Sequence, residues 1–244
     1  MKVIPVIDIL GGKVVHAVRG RRKEYQPLKS ILCASTDPLD VAAAFRKLGF
    51  SELYVADLDA ILGGKMNLSI LRSIVEETGL ELMVDAGVDN LEKAERLLEN
   101  HASKIIIGTE TLPTINLVAE AVRLFGNKKV IVSLDLMNGQ VLSRLDTAVP
   151  MSPMALLQAL QQAGTSQVIV LDLARVGSGE GVNMRFIEDA LKNFHGRIFV
   201  GGGLRNIDDL IELEKIGVAG VLVATALHSG KISVDELKRL KLLT

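Results

Sequence analysis

Two carboxylates stand where a proton-transferring pair would need them. The stretch Pro5-Val6-Ile7-Asp8-Ile9-Leu10-Gly11-Gly12 carries an Asp to the end of an apolar run and then breaks the run with glycines. Val132-Ser133-Leu134-Asp135-Leu136-Met137-Asn138-Gly139 repeats the plan, with Asn and Gly as the turn residues. Two such strand ends predict two carboxylates facing one pocket, the residue types that paired acid and base chemistry requires. Asp at a strand end also caps loops and helices, so either residue alone has a purely structural reading.

The elements that must position them follow a regular alternation. Short apolar runs rich in β-branched residues predict strands at 3–7, 53–56, 82–84, 104–107, 130–134, 167–171, 197–200 and 220–223. Between them, apolar residues at helical spacing predict helices at 39–48, 68–77, 91–99, 115–125, 154–163, 184–194, 207–216 and 234–240. Asp37-Pro38, Asn90, Ser152-Pro153 and Asn206 read as helix starts, and Gly49, Gly79, Gly126, Gly164 and Gly217 as helix ends. Strands so continuous in Val, Ile and Leu are buried on both faces, which points to a parallel sheet. Eight strands alternating with eight helices predict an α/β protein, a closed (β/α)8 TIM barrel.

An internal repeat supports the barrel. Leu53-Tyr54-Val55-Ala56-Asp57-Leu58 returns as Val168-Ile169-Val170-Leu171-Asp172-Leu173, and Met83 to Asn90 returns as Phe199 to Asn206. Ile105-Ile106-Ile107-Gly108-Thr109 returns as Val221-Leu222-Val223-Ala224-Thr225. The offsets are 115 (57 to 172) and 116 (85 to 201, 109 to 225), so the chain reads as two similar (β/α)4 halves, about 1–128 and 129–244, in a single domain. Only the first loop breaks step, with an excess at roughly 17–36.

Composition bounds what the pocket holds. With 48% hydrophobic and 23% charged residues the chain can bury a large core, and a net charge of −1 gives no global attraction to nucleic acid or anionic membrane. The first ten residues are too short an apolar run for a signal or membrane segment. One cysteine, Cys33, forms no internal disulfide, which fits a cytoplasmic protein. Any anionic ligand must therefore be caught locally. Gly201-Gly202-Gly203 follows a strand and precedes a helix, so its N–H groups can approach a phosphate with no Cβ in the way. Barrel phosphate sites commonly use the loops after strands 7 and 8, which brings in Ala224 and Thr225, with Gly177 approaching from the loop after strand 6. A three-glycine turn also serves simply as a tight loop.

The half-barrel repeat, the paired Asp8 and Asp135, the Gly201-Gly202-Gly203 loop and the Gly108-Thr109 and Ala224-Thr225 turns resemble the histidine-biosynthesis (β/α)8 barrels over essentially the whole chain. That family holds the phosphoribosylformimino-aminoimidazole carboxamide ribotide isomerase and the cyclase subunit of imidazole glycerol phosphate synthase. The opening Ile-Asp with Gly-Gly-Lys-Val-Val, and Ser-Leu-Asp in strand 5, are more similar to the isomerase. The resemblance implies an Amadori-type rearrangement of a phosphorylated aminoaldose to an aminoketose, with Asp8 as base, Asp135 as acid, a second phosphate at Gly108 and Thr109, and no cofactor or metal. Strands 1 and 5 are opposite each other in an eight-stranded barrel, which suits an acid and a base acting on two sides of one sugar.

Several positions depart from the family pattern. Asp85-Ala86-Gly87-Val88-Asp89 stands where the family has a glycine-rich turn, and its charges repel a dianion unless basic residues of loop 1 compensate. Leu171 and Val176 replace a hydroxyl and a carboxylate in the loop after strand 6, and the chain has no Trp to cover the substrate. Loop 1 carries Arg19, Arg21, Arg22, Lys23 and Tyr25, which read either as a lid that neutralises an anion and stacks on a ring or as a solvated loop. Asp57, Asp59 and Asp172 form a further acidic group at strand ends. His101 and His195 read as structural, and His16 and His228 lie near the active face without metal-ligand spacing. Three functions stay open: the isomerase, a divergent barrel enzyme with another sugar-phosphate substrate or reaction, and a non-catalytic barrel that binds a phosphorylated ligand. The sequence leaves open a partner subunit or a homo-oligomer.

Overall fold

The protein is described from a computed structural model over residues 1–145 and 150–243. Eight strands, β1 (Lys2–Leu10), β2 (Glu52–Asp57), β3 (Glu81–Asp85), β4 (Ala102–Gly108), β5 (Val130–Met137), β6 (Gln167–Asp172), β7 (Arg197–Gly201) and β8 (Gly220–Val223), pair in chain order, all parallel. The ring closes where β8 pairs with β1, Lys2 opposite Gly220 and Pro5 opposite Val223. The sheet is thus a closed (β/α)8 barrel, and closure removes its edges.

Helices α1 (Pro38–Leu48), α2 (Leu68–Thr78), α3 (Leu91–Glu99), α4 (Ile115–Phe125), α5 (Pro153–Gln162), α6 (Met184–Asn193), α7 (Ile207–Lys215) and α8 (Val234–Arg239) cover the outside. The side chains of Asp37, Asn90, Ser152 and Asn206 accept N–H bonds at the starts of α1, α3, α5 and α7, as their sequence positions predict. Outward-facing strand residues such as Ile7, Val55, Val84 and Val132 share one continuous core with the helices.

The barrel interior shows why the mouth is polar. Ile4, Tyr54, Met83, Ile106, Ile131, Ile169, Phe199 and Leu222, one from each strand, form a packed inner layer. A strand returns to the same face every second residue, so the next inward layer is Val6, Ala56, Asp85, Gly108, Ser133, Leu171, Gly201 and Ala224. One step higher stand Asp8 and Asp135. The apolar layer is a floor, and side chains that can do chemistry begin directly above it.

Strands β1 and β5 do not stop at their Asp residues, where strand ends at residues 7 and 134 are expected. Both run on into hairpins: β1 pairs with the short strand Lys13–His16, and β5 with Gln140–Val141. Gly11 and Gly12 have φ of 59° and 72°, and Asn138 and Gly139 have 54° and 78°, the two left-handed residues of a tight hairpin turn. The hairpins satisfy backbone groups that extend past the barrel rim. Loop 1 continues through a 3-10 turn, Arg22–Glu24, and a short strand, Gln26–Pro27, that pairs with Lys13–His16. It is an ordered cover rather than an open loop.

Candidate active site

Asp8 and Asp135 stand on opposite walls above the apolar floor. Asp8, half-buried, lines a cavity with Tyr54, Leu171, the 201–203 glycines and residues 222–226. Burial pushes its pKa up to about 7; the Arg22 charge opposes the rise and the Asp85 charge adds to it. Asp135 is only 3% exposed and accepts hydrogen bonds from Ser133 Oγ at 2.6 Å and the Glu110 N–H at 3.2 Å. Burial and the Asp85 and Glu110 charges outweigh those bonds and raise it to about 7. A carboxyl titrating near neutrality can hold a proton or give it up under working conditions, so either group can serve as acid or base.

Asp85 of β3 is a third carboxylate in this mouth. It accepts the Gly87 N–H at 3.1 Å and the Tyr54 hydroxyl at 3.4 Å, and burial raises its pKa to about 6. A Cβ placed on Gly108 would meet Asp135 Oδ2 at 3.0 Å and Asp85 Oδ2 at 3.5 Å, so the two carboxyls converge over that glycine. Burial and the surrounding carboxylates hold Tyr54 well above the usual phenol range, which keeps it a hydrogen-bond donor.

The remaining sequence-predicted residues fall into two environments. Gly177, Gly202, Gly203, Ala224 and Thr225 line the cavity that holds Asp8, joined by Lys231. Gly202 has φ +95°, and a side chain there would strike the Asp172 carbonyl; at Gly177 it would strike that of Ala17. Among the described residues, the N–H groups of Gly202, Gly203, Thr225 and Ala226 have no backbone or side-chain acceptor. Polar groups left free in a half-buried wall are available to an oxyanion. Across the barrel, three of the four equivalent donors, those of Gly87, Thr109 and Glu110, are spent, while the Ala86 N–H has no acceptor among the described residues. The Thr109 N–H bonds the Ser133 carbonyl at 2.9 Å, its hydroxyl bonds the Leu142 carbonyl at 2.9 Å, and the Glu110 N–H goes to Asp135.

Loop 1 lies over the mouth. Arg22 reaches Glu110 at 2.6 Å, Arg19 pairs with Glu180 at the rim, and Arg21 pairs with Glu24. Arg19 faces an adjoining cleft with Asp172 and Arg175 rather than the cavity of Asp8. Tyr25 packs against the inner cluster, its pKa pushed up to about 12 by burial and the Asp8 charge. His16 Nε2 lies 3.0 Å from Thr225 Oγ1 and His228 Nδ1 lies 2.8 Å from Ser30 Oγ, so both histidines tie loop 1 to the β8 loop.

The three outer Asp residues do not form one group. Asp57 and Asp59 accept bonds from Asn67, and Asp172 pairs with Arg175 on the far wall. The sequence reading gave Tyr54 and Glu110 no role and met Asp85 only as an obstacle to phosphate. Tyr54 carried a signal, the period-2 alternation that places it one layer below Ala56. The Arg22–Glu110 contact spans 88 residues and had none.

A closed parallel (β/α)8 barrel with titratable carboxyls grouped at the C-terminal ends of its strands belongs to the class of barrel enzymes whose active site is built there. Residues 2–233 match the family described as histidine biosynthesis protein, and the chain belongs to that family. It is 35% identical over 240 residues to an uncharacterised protein of Methanocaldococcus jannaschii, covering 97% of each chain. It is 30% identical over 242 residues to the 1-(5-phosphoribosyl)-5-((5-phosphoribosylamino)methylideneamino)imidazole-4-carboxamide isomerase of Streptococcus sanguinis, covering 98% of this chain and 97% of that one. The isomerase of that name from Halothermothrix orenii is also 30% identical, over 245 residues, with 98% and 99% covered. No described helix is long and apolar enough to cross a membrane.

Proposed function

We propose that the protein is an aldose–ketose isomerase that converts a phosphorylated N-substituted ribosylamine to its aminoketose, working as a single domain of two like halves, 1–128 and 129–244. The observation that carries this reading is the pair Asp8 and Asp135, held near neutrality on opposite walls of one mouth. The names of the relatives support it.

The geometry supports the following steps. Asp135, protonated, gives its proton to the ring oxygen as the C1–O bond breaks, leaving an iminium at C1. Asp8, ionised, takes the proton from C2, and the electron pair moves to neutralise the iminium, giving an enolamine. Asp8 returns its proton to C1 while the C2 hydroxyl gives up its own proton, which restores Asp135, so the enol becomes the C2 ketone and the sum is an isomerisation that consumes no oxidant or cofactor. Asp8 suits the base because it opens on the cavity. Asp135 suits the acid because it is nearly sealed from water and surrounded by negative charge. Gly202, Gly203, Ala224, Thr225 and Gly177 provide the phosphate cradle. Gly108 and Thr109 shape the wall around Asp135, Arg19 closes the rim, and Tyr25 supplies the aromatic cover in a chain without Trp. The single cysteine fits a cytoplasmic setting.

The test is product analysis by NMR with N-substituted phosphoribosylamines bearing one or two phosphates. Conversion to the ketose is expected, and Asp8→Asn and Asp135→Asn are each expected to lower kcat by ~10²–10⁴-fold with circular dichroism unchanged. Failure of the native chain to isomerise either substrate overturns the reading.

A further inference from the structure

We infer that the cavity accepts a substrate with one phosphate only, seated among Gly202, Gly203, Thr225 and Lys231, and that Asp85 and Glu110 occupy and guard the opposite wall so that the other end of the substrate is neutral or cationic. The reaction class rests on the isomerase reading above; the charge selectivity rests on the contacts that follow.

The internal repeat sets Asp85-Ala86-Gly87 against Gly201-Gly202-Gly203 and Gly108-Thr109-Glu110 against Ala224-Thr225-Ala226. On the β7–β8 wall these backbones leave four N–H groups without acceptors among the described residues. Lys231 lines the same cavity, its Nζ 3.4 Å from the point where a side chain on Gly179 would begin. On the β3–β4 wall the protein supplies its own acceptors. The Asp85 carboxyl takes the Gly87 N–H, and the Asp135 carboxyl takes the Glu110 N–H. An anion from outside would find these donors already bonded, with the Asp85 and Glu110 side chains beside them.

Loop 1 could have reversed this by delivering cations, and it does not. Arg22 is the basic residue of the loop that reaches this wall, and Glu110 pairs with it at 2.6 Å. Lys93 holds Asp89 at 3.0 Å and the Gly87 carbonyl at 3.2 Å, and Arg144, whose N–H bonds the Thr109 carbonyl at 3.2 Å, is exposed at the edge of this wall. Among the described residues Asp85 forms no ion pair, and it accepts the hydroxyl of Tyr54, which lines the cavity. A dianion here would stack like charges at short range with partly buried surroundings, where repulsion is poorly screened. An amine, amidine or hydroxyl would instead find acceptors.

The experiment compares two ligands by calorimetry on the intact chain: the bisphosphorylated aminoimidazole carboxamide ribotide, and the same molecule lacking the phosphate on its nucleotide ribose. The single-phosphate form is expected to bind about tenfold tighter or better, and Lys231→Ala to weaken it about tenfold. The double variant Asp85→Gly with Glu110→Gln frees the Gly87 N–H and Arg22, and is expected to bring the bisphosphate to at least equal affinity. Tighter binding of the bisphosphate by the native chain overturns the proposal, whether or not the variant folds, and leaves the isomerase reading standing. Preferential binding of the monophosphate without conversion overturns the isomerase reading and leaves this one.

Discussion

Asp8, Asp85 and Asp135 share one electrostatic problem, because Asp85 and Asp135 are buried, Asp8 is half-buried, and the Asp85 charge raises the other two. Their protons therefore leave as a coupled set, and the pH–rate profile belongs to the set rather than to any one residue. Catalysis as assigned needs Asp8 ionised and Asp135 protonated. With both near 7, the productive state peaks around neutrality and falls on either side, giving a bell for kcat. Asp85→Asn keeps an oxygen for the Gly87 N–H but removes the charge, so both limbs of the bell are expected to move to lower pH. A profile that keeps its limbs in place would show that Asp85 does not act on the pair. The sequence showed Asp8 and Asp135 because period and turn chemistry are local. It could not show that burial, with the Asp85 charge beside it, raises both, because burial and charged neighbours are fixed only on folding.

At the scale of elements, the barrel was legible and its cover was not. Strand and helix order, four caps and the glycine loop after β7 all follow from short-range patterns. The hairpins on β1 and β5 hid behind the assumption that Gly11-Gly12 and Asn138-Gly139 end strands, when left-handed pairs of this kind turn them back. Loop 1 reads either as a basic lid or as a solvated loop, yet its arginines are paired, and His16 together with His228 of the β8 loop does the fastening. His16→Ala removes the 3.0 Å tie to Thr225 while the ring at 228 still holds Ser30. The expected result is a KM raised several-fold with kcat little changed, and faster proteolytic cutting in residues 17–36, at a stability cost of about 1 kcal/mol or less. Unchanged KM and unchanged cutting would assign the contact to packing alone.

Across the whole molecule the two ends of the barrel respond to pH with opposite sign. At the N-terminal end, Glu52 is 7% exposed and binds Lys2 at 2.7 Å and Lys104 at 2.8 Å. Burial would raise its pKa, but the bonds from Lys104 and Lys2 win and lower it. A lowered folded pKa gives stability that is present above the unfolded value and lost as pH falls through the folded one. At the mouth the folded pKa values of Asp8, Asp85 and Asp135 lie above 3.8, at about 7, 6 and 7, so the folded state binds more protons than the unfolded chain across that interval. Stability from those groups is complete below about pH 4 and is lost as pH rises towards 7. The two trends place maximum stability in the mildly acidic range, below the neutral rate optimum, because the mouth carries charges that folding alone would leave protonated. Urea unfolding from pH 3 to 9 checks this with two variants. Glu52→Gln is expected to lose about 2 kcal/mol at neutral pH, since Lys104 keeps a poorer partner, with kcat unchanged. Asp85→Asn is expected to gain stability on the order of 2 kcal/mol at pH 8 and little at pH 4. A native chain more stable at pH 8 than at pH 5 would show that the mouth carboxyls are not held as buried acids.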